Sequence, residues 1–204
     1  MSKTTIPTGG IADDAVNLTS KVTGALPVAN GGTALTSGFL NGITLVDQWR
    51  LTSDFAFASG GANTNEQFIT ANLEQVDTAQ QSTFGSAMAQ SSGVFTFPST
   101  GFYEVGYVCN VNLQNDETNF ESRIFATTNN STYVKVASGS CAIQRSSGTY
   151  VYSAYSNVIL DVTNTSNVKV KFGFKPDVGP QDSVIRSDTN YNVTYFTFTR
   201  IGDT

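Results

Sequence analysis

The sequence predicts an all-β chain folded as an antiparallel sandwich or jelly roll, and three observations carry that expectation. Thr and aromatic residues are plentiful, whereas Leu, Lys, Arg, Glu and Met, the strong helix formers, are sparse. Several long runs alternate apolar and polar residues with a period of two. Gly, Asn, Ser and Pro clusters then separate those runs at short intervals. Charged residues make up only 13% of the 204-residue chain, but aromatics reach 11%, so a packed core rather than disorder follows.

The strand signals begin after Asn41. Ile43 to Leu51 reads as the first long strand, and Gly60-Gly61 breaks the chain after Phe57. Val94-Phe95-Thr96-Phe97 alternates and is turned by Pro98 to Gly101. Tyr103, Val105, Tyr107, Cys109, Val111 and Leu113 then place six apolar side chains on one face of the next strand. Ser122 to Thr127 and Tyr133 to Ala137 flank a turn at Asn129-Asn130. Cys141 to Ile143, Tyr150 to Leu160, Val168 to Phe174 and Tyr191 to Ile201 follow. About eight to ten strands over about 160 residues, with no convincing helix and no fixed repeat, fit one antiparallel domain.

Residues 1–40 differ from the rest. They are rich in Gly and small residues and contain no aromatic before Phe39. Such a stretch cannot form its own core, so it is a linker or is ordered against other copies. The chain therefore divides into an N-terminal segment, 1–40, and a C-terminal domain, 41–204. The sparse apolar rhythm of the first segment, Ile11, Val16, Leu26 and Val28 among it, is the candidate attachment surface.

The final strand carries apolar residues on both faces: Tyr191, Val193 and Tyr195 on one, Phe196 and Phe198 on the other. In a two-sheet sandwich one face of each strand should meet water. Tyr195, Phe196 and Phe198 are therefore candidates for a contact between subunits.

Composition also excludes chemistries. There is no histidine, which removes Ser-His-Asp and Cys-His machinery. No phosphate-cradling Gly-Lys motif occurs. A net charge of −5 gives no overall footprint for nucleic acid, and no apolar run reaches the ~20 residues of a membrane span. Paired carboxylates could cut a glycoside, but Asp13-Asp14 and Asp116-Glu117 lie in apparent loops. Calcium could be held by Asn115, Asp116, Glu117 and Asn119, or by Asp177, Asp182 and Asp188, although turn chemistry explains both sets. No cofactor is expected. Cys109 and Cys141 are too few for a disulfide framework, and Cys109 reads as a buried reduced thiol. With no leader visible at Met1 to Gly10, the chain is expected to be made and assembled in a cytoplasm.

Two segments resemble known families. Thr23 to Thr33, "TGALPVANGGT", resembles a segment that recurs in phage tail-fibre proteins, and Ile11 to Val22 is similar to another pattern common in them. The stretch Phe95 to Tyr103, with its "F-x-x-P-x-x-G-x-Y" core, resembles the complement one-q and tumour-necrosis-factor jelly-roll superfamily. Tyr195 to Thr204 resembles the closing strand of phage proteins with that domain. The resemblance implies a compact homotrimer with Phe97 in the core, Pro98 and Gly101 in a turn, and a binding role without catalysis. No collagen-like Gly-x-y stalk accompanies it.

The expected protein is a non-enzymatic fibre on a virion surface, assembled in the host cytoplasm. Its residues 1–40 would engage another virion protein, and its knob would bind a host-surface glycan or protein. The alternative is a capsid-mounted head fibre or decoration knob. A glycan-cleaving enzyme and a free lectin-like module are the remaining rivals. Candidate receptor contacts lie in exposed loops: Asn115, Asp116, Asn130, Tyr133, Arg145, Tyr150 and Asp182.

Overall fold

The computed structural model describes residues 43–57, 65–78, 80–114, 119–142, 149–177 and 183–204. The attachment residues Ile11, Val16, Leu26 and Val28 lie outside them. So do Asn115, Asp116, Arg145 and Asp182. The described residues form strands and loops, with no helix among them.

The architecture grows from one long strand. β7 (Gly101–Gln114) keeps the expected alternation, and Tyr103, Val105, Tyr107, Cys109, Val111 and Leu113 are all fully or almost fully buried. β10 (Thr149–Val162) pairs antiparallel along the whole of one β7 edge. On the other edge, β13 (Tyr195–Gly202) covers Phe102 to Val108 and β12 (Val184–Ile185) covers Val111 and Asn112. β1 (Leu45–Leu51) and β4 (Leu73–Gln75) continue beyond β13, while β2 (Phe55–Ala56) pairs with β12. We call this sheet A.

Sheet B runs β5 (Ala89–Ser91), β6 (Val94–Thr96), β11 (Lys169–Pro176), β8 (Asn119–Thr127) and β9 (Val134–Ala142), with β3 (Gln67–Phe68) also on β11. All pairings in both sheets are antiparallel. Strands adjacent in space are mostly distant in sequence, and the chain passes between the two sheets repeatedly, as in a jelly roll.

The space between the sheets is filled by aromatic rings. Phe172 of sheet B packs with tilted rings at 4.3 Å from Phe196 and 5.2 Å from Tyr107 of sheet A. Phe95 meets Phe198 at 5.1 Å and Trp49 at 5.4 Å. Toward one end, Phe57 and Phe174 meet at 4.8 Å beside Phe120. Rings tilted at these separations gain attraction beyond the area they bury.

This core corrects one reading of the last strand. Phe196 and Phe198 are completely enclosed by their own chain, facing sheet B, and leave no ring for a subunit contact. Residues 191–194 precede the strand rather than belonging to it, so Tyr191 and Val193 do not define its second face. Only Tyr195, half-buried on the opposite face, keeps that position open.

The Phe97 expectation holds. Phe97 packs 4.7 Å from Tyr103, whose hydroxyl donates to the Ser99 carbonyl across the intervening turn at 3.0 Å. Gly101 opens β7 at φ +140°, where an added Cβ would lie 2.5 Å from Arg200 Nε and from the Gly202 carbonyl. Only glycine fits there. The two short strands expected at 133–137 and 141–143 are one strand, β9, because Gly139 lets its backbone pass against β10. A Cβ at Gly139 would collide with the Tyr155 carbonyl.

The β1–β4 border of sheet A is tied by polar groups. The buried Arg50 guanidinium donates to Glu74 at 2.6 Å and to Thr78 at 3.0 Å. The buried Asp47 carboxylate accepts from Gln48 N, Trp49 Nε1, Gln75 Nε2, Thr83 Oγ1 and Met88 N, all within 2.8–3.0 Å.

Candidate functional site

Period-two alternation sends half of each sheet A strand inward and half outward. The outward set carries large apolar side chains among its polar ones. On β10 it contains Val151, Tyr155 and Ile159, exposed by 53%, 56% and 61%. Register places Tyr155 beside Val108 of β7, and Val108 beside Tyr195 of β13. Val46 of β1 stands opposite Thr199 on the same face. Phe102 and Ile201 add exposed apolar side chains.

Gly106 shapes the middle of this face. It sits between Asn157 and Thr197 in register and carries no side chain. Thr197 Oγ1 occupies the space that a Cβ would need, and the Tyr155 hydroxyl lies 3.8 Å from that point. Tyr155 therefore extends across β7 and leaves one side of its ring to the outside. Isolated exposed apolar residues need no explanation, but a row across three paired strands does.

The sequence reasoning pointed to Tyr195 and missed Val46, Val108, Tyr155 and Ile159. A signal was present: the run from Tyr150 to Leu160 is apolar at both odd and even positions, as a strand covered on both faces would be.

Of the predicted receptor residues, Asn130, Tyr133 and Tyr150 are among the described ones, and the structure does not bring these three together. Asn130 and Tyr133 sit in the β8–β9 connection. Tyr150 sits at the start of β10, paired with Leu113 near the end of β7. The nine residues of β8 separate those two ends by about 30 Å. The flanks of the loops that hold Asn115, Asp116, Arg145 and Asp182 all gather at the Tyr150 end: Gln114 pairs with Thr149, Asn119 with Ala142, and Val184 with Asn112.

Asn130 has a turn role. It adopts φ +56°, and its N–H donates to the Asn167 carbonyl at 2.9 Å. Its neighbour Asn129 accepts at Oδ1 from the Ser131 and Thr132 N–H groups, an Asx turn. Tyr133 is half-buried, with the Lys171 ammonium 4.4 Å from its ring centroid.

Among the described residues no group of three His, Cys, Asp or Glu side chains is placed to hold a metal. Asp188, one calcium candidate, instead accepts the Asn190 N–H at 2.7 Å, and that hydrogen bond lowers its pKa. Cys109 and Cys141 are both free thiols. Burial pushes the Cys109 thiol up to about 12, so it stays protonated and unreactive at neutral pH.

No family model matches the sequence, and no curated protein matches it. Solved structures do resemble the fold. Murine APRIL, crystallised at pH 8.5, superposes with a TM-score of 0.53 at 7% identity, over 77% of this chain and 98% of that one. Eiger TNF from S. frugiperda superposes with a TM-score of 0.52 at 9% identity, over 80% of this chain and 96% of that one. The domain is an antiparallel jelly roll of the tumour-necrosis-factor type.

Proposed function

We propose that this chain is a non-enzymatic binding protein that closes into a homotrimer through the outer face of sheet A. In that reading its jelly roll is the distal knob of a virion fibre. Residues 1–40, including Ile11, Val16, Leu26 and Val28, anchor the fibre to another virion protein. The knob presents its loops to a host-surface glycan or protein. The observation that carries the assembly is the row of outward apolar side chains from Tyr195 through Val108 to Tyr155, with Val46 further along the same face. Burying such a row gains about 25 cal/mol per Å² of apolar surface. Closed rotational symmetry hides it without opening a path to fibrils. Three copies also multiply weak surface contacts by avidity. The fibre role rests on the likeness of residues 11–33 to tail-fibre segments.

Light scattering on a sizing column tests the assembly. A trimer has three times the 21.7 kDa of one chain, about 65 kDa. Tyr155→Glu with Ile159→Glu places two charges in the row and is expected to give monomers that keep the β-sheet circular dichroism. A doubly substituted chain that stays trimeric would move the contact elsewhere. A wild-type monomer would remove the trimeric reading. Capture of a tail or a shell protein by residues 1–40 separates the tail fibre from the head fibre.

A further inference from the structure

The outer face of sheet B has the opposite character to that of sheet A. The chain carries a net charge of −5, yet the four lysines of the described residues all lie on this one face. Lys169, Lys171 and Lys175 alternate along β11, the middle strand. Register puts Arg123 beside Gly173, and Lys135 beside Phe125. Among the described strand residues and their flanks on this face, Glu66 and Glu121 stand beside the cations and both are engaged by Arg123, at 3.0 and 2.8 Å, while Asp177 follows the end of β11. Five cations against these two carboxylates and Asp177 leave about +2 to +3 on one face of an acidic protein, counted over the described residues.

Three of these ammonium groups are available. Lys169 is spent internally on Thr96 Oγ1 and the Thr165 carbonyl. Lys135, Lys171 and Lys175 make no ion pair among the described residues. Lys135 is exposed, and Lys171 and Lys175 are partly so. Aromatic rings stand among them. Lys171 Nζ lies 3.7 Å from the centroid of Phe68 and 4.4 Å from that of Tyr133. Phe68 packs edge-on against Phe125 at 5.1 Å and lies over Gly173, whose missing side chain makes room for the ring. Burial lowers the pKa of Lys171, with Glu66 acting against that shift, and a bound anion would favour the charged form further.

We propose that the outer face of sheet B binds an acidic polysaccharide, with Lys135, Lys171 and Lys175 taking its anionic groups and Tyr133 offering a ring edge to the sugar. This deepens the binding-protein reading and rests on it. Charge complementarity selects the partner. Lys171 and Lys175 are four residues apart on one strand, about 13 Å, which suits anions spaced along a saccharide chain. A nucleic acid would bring continuous phosphate charge against the remaining acidic surface, and the half-buried rings leave little face for a base to stack on.

Surface plasmon resonance of the full chain tests this over immobilised heparin, hyaluronan, neutral dextran and single-stranded DNA. Heparin supplies sulfate and carboxylate; hyaluronan supplies carboxylate alone. Binding to heparin, with or without hyaluronan, and none to dextran is expected, and the two arms identify the anion. Each charge-assisted hydrogen bond contributes about tenfold in affinity, so Lys171→Gln with Lys175→Gln should weaken binding at least about tenfold. Arg186→Gln removes one charge from an exposed site on sheet A and should change affinity by less than about twofold. Lys135→Gln alters only an exposed side chain, so its weakening of binding is expected without any change in thermal midpoint. The idea is overturned by no binding above dextran, by equal weakening in Arg186→Gln, or by tighter binding of DNA than of either polysaccharide. Light scattering on the same samples separates the two readings. A trimer without polysaccharide binding sinks this inference alone, and a monomer that binds sinks only the assembly.

Discussion

Removing the Asp47 carboxylate should unfasten the β1–β4 border of sheet A. The group is fully buried and accepts five hydrogen bonds, two from backbone N–H groups and three from side chains. Three of its donors, Gln75, Thr83 and Met88, belong to segments far along the chain from β1, so one carboxylate ties these three positions to the first strand. Asp47→Ala orphans the buried Met88 N–H, at about 1–3 kcal/mol, and removes several charge-assisted bonds at about 1.5–3 kcal/mol each. Water entering the vacated site and the non-additivity of a shared acceptor reduce the sum, and about 4 kcal/mol is expected. For a domain of this size that lowers the midpoint of thermal unfolding by about 12 °C. Asp47→Asn keeps the shape but turns an amide N–H₂ toward other donors, so it should recover less than half of the loss. Circular dichroism melts at one protein concentration measure both, which matters because assembly makes the midpoint concentration-dependent. A loss below about 1 kcal/mol for Asp47→Ala would refute the reasoning, because the donors would then be satisfied without the carboxylate.

Two further expectations concern the backbone and the thiols. Gly101→Ala should cost about 1–3 kcal/mol, since φ +140° is closed to side chains and the new Cβ would press on Arg200 and Gly202; denaturant titration reads it, and a neutral effect would mean the β7 start can move. Cys109 should resist a thiol reagent at pH 8 in the folded protein and react fully once unfolded, and fast native labelling at that position would contradict its burial. Its folded pKa of about 12 lies above the ordinary value of 9.0, so the folded chain holds the proton more tightly. The stability this provides is present below about pH 9 and is lost as pH rises toward about 12. Tyr107, pushed up chiefly by its own burial, adds in the same direction. Alkaline unfolding monitored by tryptophan fluorescence checks the sign, and constant stability from pH 9 to 11 would refute it.

Much of the fold was legible because strand alternation is local. The period-two run from Tyr103 to Leu113 announced β7 and its inward face, and the Pro98 to Gly101 turn marked where it starts. Asn129-Asn130 announced the β8–β9 connection for the same reason: turn chemistry is written in adjacent residues. The short strands β3, β4 and β5 were not legible, since two or three residues carry no period and are strands only because β11, β1 and β6 stand beside them.

The candidate surfaces were legible in part. Tyr195, Phe196 and Phe198 were expected together at a subunit contact; Tyr195 lies on the outward face, but Phe196 and Phe198 face the other sheet, because nothing local tells which face of a doubly apolar strand meets it. Tyr133 and Tyr150 were grouped as loop aromatics, and pairing distances set them at opposite ends of the sandwich.

The sequence by itself determined the β class, the alternation that builds the core, the turns, and the absence of histidine chemistry, because each depends on neighbours a few residues apart. The tertiary structure alone decided which faces stay open and what they carry. Lys135 and Lys171 lie 36 positions apart, and Val46 and Tyr195 are separated by most of the domain. Non-local antiparallel pairing brings each set onto one face, and pairing register is a property of the assembled sheets.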